Sequence, residues 1–230
     1  MKIIAHIETD FPTKFGLPRQ SGLVEEIEGK IIFDPEYRQA EAFRGLEAFS
    51  HIWLIWKFSE SRKENWSATV RPPRLGGNKR IGVFATRSPF RPNDIGLSCV
   101  KLVKIDFDSE NAPVLCVSGV DMMNNTPIYD IKPYIPFTDC RPDAAEGYTA
   151  ETKTYILSVN FPQELLEKIP PQKRTAALKA LAHDPRPGYK RESQKEYGMS
   201  FAGFNIVFTV EGSELTVKQV SAEQPASYIK

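Results

Sequence analysis

The chain has 230 residues, with 30 Lys+Arg against 29 Asp+Glu, 41% hydrophobic and 26% charged residues. That is enough for one large or two small domains with a real core, and it excludes a disordered polyelectrolyte. The apolar start before Asp10 is too short for a signal peptide, and no later run approaches a membrane span, so a cytoplasmic protein is expected.

In chain order, residues 2–8 read as a first strand, followed by a polar, Pro/Gly-punctuated loop ending in Pro18-Arg19-Gln20. Strands are expected at 23–27 and 29–33. A short helix then opens at Asp34-Pro35, with Ala40, Phe43 and Leu46 at helical spacing and Gly45 curtailing it. Residues 51–58, HIWLIWKF, are a nearly continuous apolar run and read as a buried central strand. Short strands follow at 81–85, 99–105, 114–120 and 128–134. Many short strands punctuated by Gly and Pro argue for a barrel or sandwich, and no G-x-G-x-x-G follows a strand, so a Rossmann reading is poor. Residues 133–148 shift to prolines, acids and small side chains, as in a linker. Beyond it Tyr155, Leu157, Val159 and Phe161 alternate as a strand, and 162–169 and 171–183 read as helices. Phe204, Ile206, Phe208 and Val210 alternate again before a last strand with Leu215 and Val217.

The stretch 71–97, RPPRLGGNKRIGVFATRSPFRPNDIGL, carries Arg71, Arg74, Lys79, Arg80, Arg87 and Arg91 and no acid until Asp94. In a chain so nearly balanced, a local field of one sign calls for an anionic partner. Pro72, Pro73, Pro89 and Pro92 stiffen its backbone. Arginines on a rigid backbone hold planar guanidinium forks ready for phosphate or carboxylate. Residues 184–191, DPRPGYKR, form a second rigid basic segment, and two such clusters suggest one shared anionic ligand. Phe84, Phe90, Tyr129, Tyr134 and Tyr189 interleave with the cations, which suits stacking on an unpaired base and equally suits a core.

Ordinary catalytic templates are missing: no G-x-S-x-G, P-loop or H-E-x-x-H. Cys99, Cys116 and Cys140 are odd in number and without a C-x-x-C pair, and His6, His51 and His183 are scattered, so neither a disulfide framework nor a metal centre is expected. The candidate acids are Asp94, Asp121 and Asp130. Read without a relative, the residues give a barrel-like protein with a rigid basic site for a phosphate-bearing ligand, RNA being one.

The ordered motifs reach further. Residues 71–77 (RPPRLGG), 80–89 (RIGVFATRSP), Arg91-Pro92-Asn93 and Ile95-Gly96-Leu97 closely resemble the TsaA-like (TrmO) family of tRNA N6-threonylcarbamoyladenosine N6-methyltransferases. Pro18-Arg19-Gln20, Arg44-Gly45-Leu46-Glu47, Phe49-Ser50-His51-Ile52-Trp53 and Asp130-Ile131-Lys132-Pro133-Tyr134 match in the same order, and Asp184-Pro185-Arg186-Pro187 with Tyr189 matches the extra C-terminal unit of the bacterial branch. The resemblance implies an α+β, mainly β fold. A small non-Rossmann β-barrel that binds S-adenosylmethionine would span 1–140, with a smaller α/β domain over 141–230. It further implies a homodimer without metal, acting on the anticodon loop of a threonine tRNA.

Carried over by position, the cofactor contacts fall at Pro18, Arg19, Gln20, Phe58, Ser59, Arg87, Leu97, Val120 and Asp121. Asp121, Asp130 or Tyr134 would accept or orient the proton of the methylated nitrogen. Arg71, Arg74, Arg80, Arg91, Arg186 and Tyr189 would contact tRNA. The family has Asp-Gly-Thr-Pro where this chain has Asn124-Asn125-Thr126-Pro127, so an acid expected at 124 is an amide. Two rival readings use the same basic face: a non-catalytic RNA-binding module, and an enzyme for a small anionic metabolite.

Overall fold

The computed structural model describes residues 1–60, 66–72, 75, 79–150, 155–186 and 195–223. The first part of the chain contributes β1 (Ala5–Thr9), β2 (Glu28–Phe33), β3 (His51–Lys57), β4 (Thr69–Val70), β5 (Ile81–Gly82), β6 (Ile95–Asp106), β7 (Val114–Ser118) and β8 (Thr126–Pro133). The two-residue β4 and β5 pair as a ribbon, and the other six close into a barrel of order β1-β2-β7-β6-β3-β8. All its pairings are antiparallel. Closure leaves no sheet edge exposed and sets one face of every strand toward a shared interior.

That single interior explains where the strand expected at 51–58 differs. It is not buried on both faces: Ile52, Leu54 and Trp56 point in, while Trp53 and Ile55 stay half-exposed on the barrel's outside. Residues 23–27 are turns rather than a strand. Gly22, at φ +77°, donates its N–H to Gly119 O at 2.9 Å, and Val24 and Ile27 are buried without joining a ladder. The helix expected after Asp34 is three 3₁₀ turns, Pro35–Tyr37, Ala40–Phe43 and Leu46–Ala48, separated by extended Gln39 and by Gly45 at φ +88°. At 81–85 the strand stops at Gly82 and a 3₁₀ turn, Val83–Ala85, buries Val83 but leaves Phe84 71% exposed.

The second part contains α1 (Pro136–Asp139), β9 (Ser158–Asn160), α2 (Gln163–Leu166), α3 (Pro171–Ala182), β10 (Tyr197–Phe201), β11 (Phe204–Glu211) and β12 (Glu214–Ala222). Its sheet runs β10-β11-β12-β9, with β9 parallel to β12. Helix α3 begins with Pro171 in its first turn and buries Leu181 with Ala176, Ala177 and Ala180, whose small side chains allow close approach. Phe11, fully buried beyond β1, meets Phe201 of β10 at 4.9 Å between ring centroids. On α3, Lys173 pairs with Asp10 at 2.7 Å and Lys179 with Glu26. The second sheet is thus anchored on loops at one end of the barrel. Among the described residues no helix is long and apolar enough to cross a membrane.

Candidate active site

On β6 the inward positions are Gly96, Ser98, Val100 and Leu102, and Ser98 is the one polar side chain among them. Trp56 faces Gly96 across the β3–β6 ladder. Its Nε1 donates to Ser98 Oγ at 2.9 Å, and Ser98 Oγ donates to Asp121 Oδ1 at 2.6 Å. Asp121 lies between β7 and β8. Burial pushes its carboxyl up to about 6, against the Ser98 hydroxyl, the backbone N–H groups of Asp121 and Ser21, and the charge of Arg87, all of which favour the carboxylate. A carboxyl poised there changes protonation close to neutral pH and can accept a proton.

The loop at 18–22 is tied down at successive residues. Pro18 is buried. Arg19 donates to the carbonyls of Asp184 at 3.2 Å and Arg186 at 3.1 Å. Gln20 Oε1 accepts from the Arg87 guanidinium, and Ser21 Oγ accepts the Cys99 N–H at 3.1 Å. Gln20, Arg87 and Asp121 are thereby gathered at one end of the barrel. Phe58 packs on Trp56 at 4.3 Å, Val120 is buried behind the site, and Ser59 lies exposed in the turn after Phe58.

Other expected residues lie elsewhere. Leu97 points outward, 56% exposed, opposite to Ser98. Asp130 is on the barrel's outside, paired with Lys132 at 3.0 Å, and lines an open cleft of about 680 Å³ with Tyr37, Phe43 and Ile131. Tyr134 packs against Trp53 at 5.7 Å, and desolvation, Cys140, Cys99 and Asp139 raise its pKa, so it remains a phenol at neutral pH. Of the three candidate proton acceptors, Asp121 alone stands with Gln20 and Arg87.

The cations also divide. Arg71 and Arg80 are exposed, and Arg80 donates to Thr69 Oγ1 at 2.7 Å. Arg91 is half-buried, donating to Val83 O at 3.2 Å and Thr86 O at 2.6 Å. Arg186 must be corrected: it is 5% exposed and forks onto the Asp184 carboxylate at 2.8 and 3.0 Å. Tyr155 closes the same carboxylate at 3.0 Å. Such a buried guanidinium, already paired with a carboxylate, is not available to a phosphate. Arg74 and Tyr189 lie outside the described residues.

The amide at 124 also finds its explanation. Asn124 Oδ1 accepts the Thr9 N–H at 3.1 Å, its own N–H donates to Phe11 O at 2.8 Å, and Asn125 adopts φ +62°. The pair closes the turn into β8, a task an amide oxygen performs as well as a carboxylate. Sequence reading missed Trp56, Ser98 and Ser21; the available signal was a serine at an inward position of an otherwise apolar alternation. Among the described residues no group of three or more His, Cys, Asp or Glu could hold a metal ion.

Comparison with known proteins carries the decision. Residues 6–140 match the tRNA-methyltransferase O N-terminal domain, and residues 154–223 match the TrmO C-terminal domain. The chain belongs to the TrmO family. An Escherichia coli K12 relative, named tRNA (adenine(37)-N6)-methyltransferase, is 41% identical over 215 residues, covering 90% of this chain and 91% of its own. A Pseudomonas aeruginosa relative described, by inference, as an S-adenosylmethionine-dependent methyltransferase is 37% identical, covering 85% and 86%. The crystal structure of TrmO from Pseudomonas aeruginosa superposes with a TM-score of 0.77 at 29% identity, covering 96% of this chain and 97% of that one. The six-stranded barrel described above is therefore a TrmO-type barrel.

Proposed function

We propose that the chain transfers a methyl group from S-adenosylmethionine to N6 of threonylcarbamoyladenosine, the nucleoside 3′ of the anticodon in a threonine tRNA. The relatives' names support tRNA methylation and S-adenosylmethionine as donor. The observation that carries the reading is Asp121: a half-buried carboxyl tuned to about 6, braced by Trp56 and Ser98 and set beside Gln20 and Arg87.

Those groups fit the donor's chemistry. When bound, S-adenosylmethionine supplies an electrophilic methyl on a sulfonium. Arg87 is exposed and keeps N–H groups beyond the one given to Gln20, so it can fork onto the donor's carboxylate. Phe58 and Trp56 offer an aromatic wall that limits water. The accepting nitrogen is urea-like and a poor nucleophile. Asp121 accepts its proton as the N–C bond forms and the methyl–sulfur bond breaks, leaving a neutral thioether. Holding the nitrogen in line with the methyl contributes the rest.

The barrel, over 1–140, would carry this chemistry, and the unit over 141–230 would brace the 18–22 loop through Arg19. We further assign a homodimer. The outer face of β3 and β6 exposes Trp53, Ile55 and Leu97 as neighbours, and Phe137 on α1 is 86% exposed nearby. Asp139 of α1 holds the Trp53 indole at 2.9 Å, which links that helix to the patch. Contiguous apolar surface of this kind suits an isologous contact.

The test is nucleoside mass spectrometry of tRNA treated with the protein and S-adenosylmethionine. A mass gain of one methyl on threonylcarbamoyladenosine is expected, with unmodified transcript unchanged. Equal methylation of the bare transcript would refute the substrate.

A further inference from the structure

The β4–β5 ribbon carries two large aromatic rings that the methyl-transfer chemistry does not use. Trp66 precedes β4 and is 52% exposed; Phe84 follows β5 and is 71% exposed. Their rings stack on one another, centroids 6.2 Å apart and 27° between planes. The Arg91 guanidinium lies over Phe84 at 5.7 Å from the ring centroid. A ring already contacted on two sides yet still mostly open to water is an unusual place for phenylalanine, since the adjacent Val83 is buried.

The backbone beneath is rigid. Val83 N donates to Ala68 O at 2.9 Å, joining the segments that bear the two rings. Thr86 folds back on Val83 O through both its N–H, at 3.1 Å, and its hydroxyl, at 2.8 Å. Arg91 pins the same turn at Val83 O and Thr86 O. The rings therefore keep their exposed faces without help from a ligand.

Cations gather at the other end of the ribbon. Arg71 and Arg80 flank the far end of the ribbon, next to the Val70–Ile81 pair, and Lys79 adjoins them; all three are exposed. From Arg71 to Arg91 the sequence contains no acid. Three residues beyond Phe84, Arg87 reaches Gln20 at the candidate active site. Exposed π-faces next to a run of cations, with a catalytic site alongside, make the combination that holds a single strand: bases on rings, phosphates on cations.

We propose that Trp66 and Phe84 form a stacking platform for an unpaired base next to the nucleoside that is methylated, with Arg71, Lys79 and Arg80 on the neighbouring phosphates. This rests on the function proposed above and adds the substrate contact that would keep the target base out of its own stack. Phe84 and Trp66 are binding residues here, not catalytic ones.

The experiment uses the full chain and an anticodon stem-loop carrying threonylcarbamoyladenosine, with 5-iodouridine at one loop pyrimidine at a time. On irradiation, crosslinks are expected at Trp66 or Phe84. For Phe84→Ala and Trp66→Ala the KM for the stem-loop should rise roughly 5- to 150-fold, the range for losing one base stack. The kcat and the Kd for S-adenosylmethionine should stay within about two-fold, and Phe84→Trp should restore the KM. Crosslinks confined to other residues, or an unchanged KM in both variants of a protein whose wild type does methylate, would overturn the platform and leave the function standing. A wild type that crosslinks at these rings but never methylates would do the reverse. If the substitutions instead convert a dimer to a monomer in sedimentation at unchanged KM, the rings serve a second copy of the chain and the platform is wrong.

Discussion

Trp56 lies across Gly96 so closely that a Cβ on Gly96 would meet the indole ring at 2.2 Å. Only bare backbone at that point of β6 lets the indole Nε1 reach Ser98, and through it brace Asp121. Gly96→Ala should therefore act as overpacking, costing about 1–3 kcal/mol, or roughly 2–12 °C in Tm for a chain of this size. Thermal unfolding reads the first effect. Methyl transfer should fall as well, because the ring must leave Ser98 to make room.

Methyl transfer should also follow the state of Asp121. A carboxyl raised to about 6 accepts a proton only when ionised, so kcat/KM should climb as pH rises through about 6 and level off above it. Ser98→Ala removes a donor that favours the carboxylate, and the climb should move to higher pH. Asp121→Asn should lower kcat by about 10²- to 10⁴-fold. The same shift has a cost for folding: since the folded carboxyl sits above its ordinary value near 3.8, its contribution to stability declines as pH rises from there through about 6.

Asp184 works in the opposite sense. Burial pushes its carboxyl up, but the Arg186 fork and the Tyr155 hydroxyl outweigh that and hold it below its ordinary value. Its stabilisation is present above the ordinary carboxylate range and is lost as pH falls through the lower folded value. Asp184→Asn should flatten the acid side of a urea-unfolding series. Arg186→Ala, leaving a buried charge without its partner, should cost about 3–5 kcal/mol at pH 7.

Salt dependence separates the two arginine classes. Arg71 is exposed on the ribbon, so Arg71→Ala should lower the slope of log affinity for tRNA against log salt by about one. An unchanged slope removes Arg71 from the phosphate contacts.

The outer patch of β3 and β6 gives a further measurement. Leu97→Asp places a charge among Trp53, Ile55 and Leu97's own exposed surface, and sedimentation should then report a monomer where the native chain reports a dimer.

The barrel was legible as many short strands punctuated by glycine and proline, and β11 of the second sheet as a period-two alternation that its burial repeats. The run at 51–58 misled because Trp53 and Ile55 are apolar on the outer face, where a surface patch and a second buried face look alike in sequence. Residues 34–48 carry helical spacing, but extended Gln39 and left-handed Gly45 divide them into three separate turns. Arg87, Gln20 and Asp121 were named from the sequence, and the structure brings them together. Trp56 and Ser98 were not named, because their meaning depends on which β3 residue faces which β6 residue, a register set only when the barrel closes. Arg186 was misplaced because an arginine between prolines reads as a surface cation, and its buried partner, Asp184, stands only two residues before it.

The two carbonyls that receive Arg19, those of Asp184 and Arg186, belong to the far end of the chain. Trimming the protein to its first 140 residues would therefore remove two of the oxygens that hold the Arg19 guanidinium and loosen the neighbouring glutamine. The second sheet is on this view part of how the 18–22 loop is built, not an appendage to it.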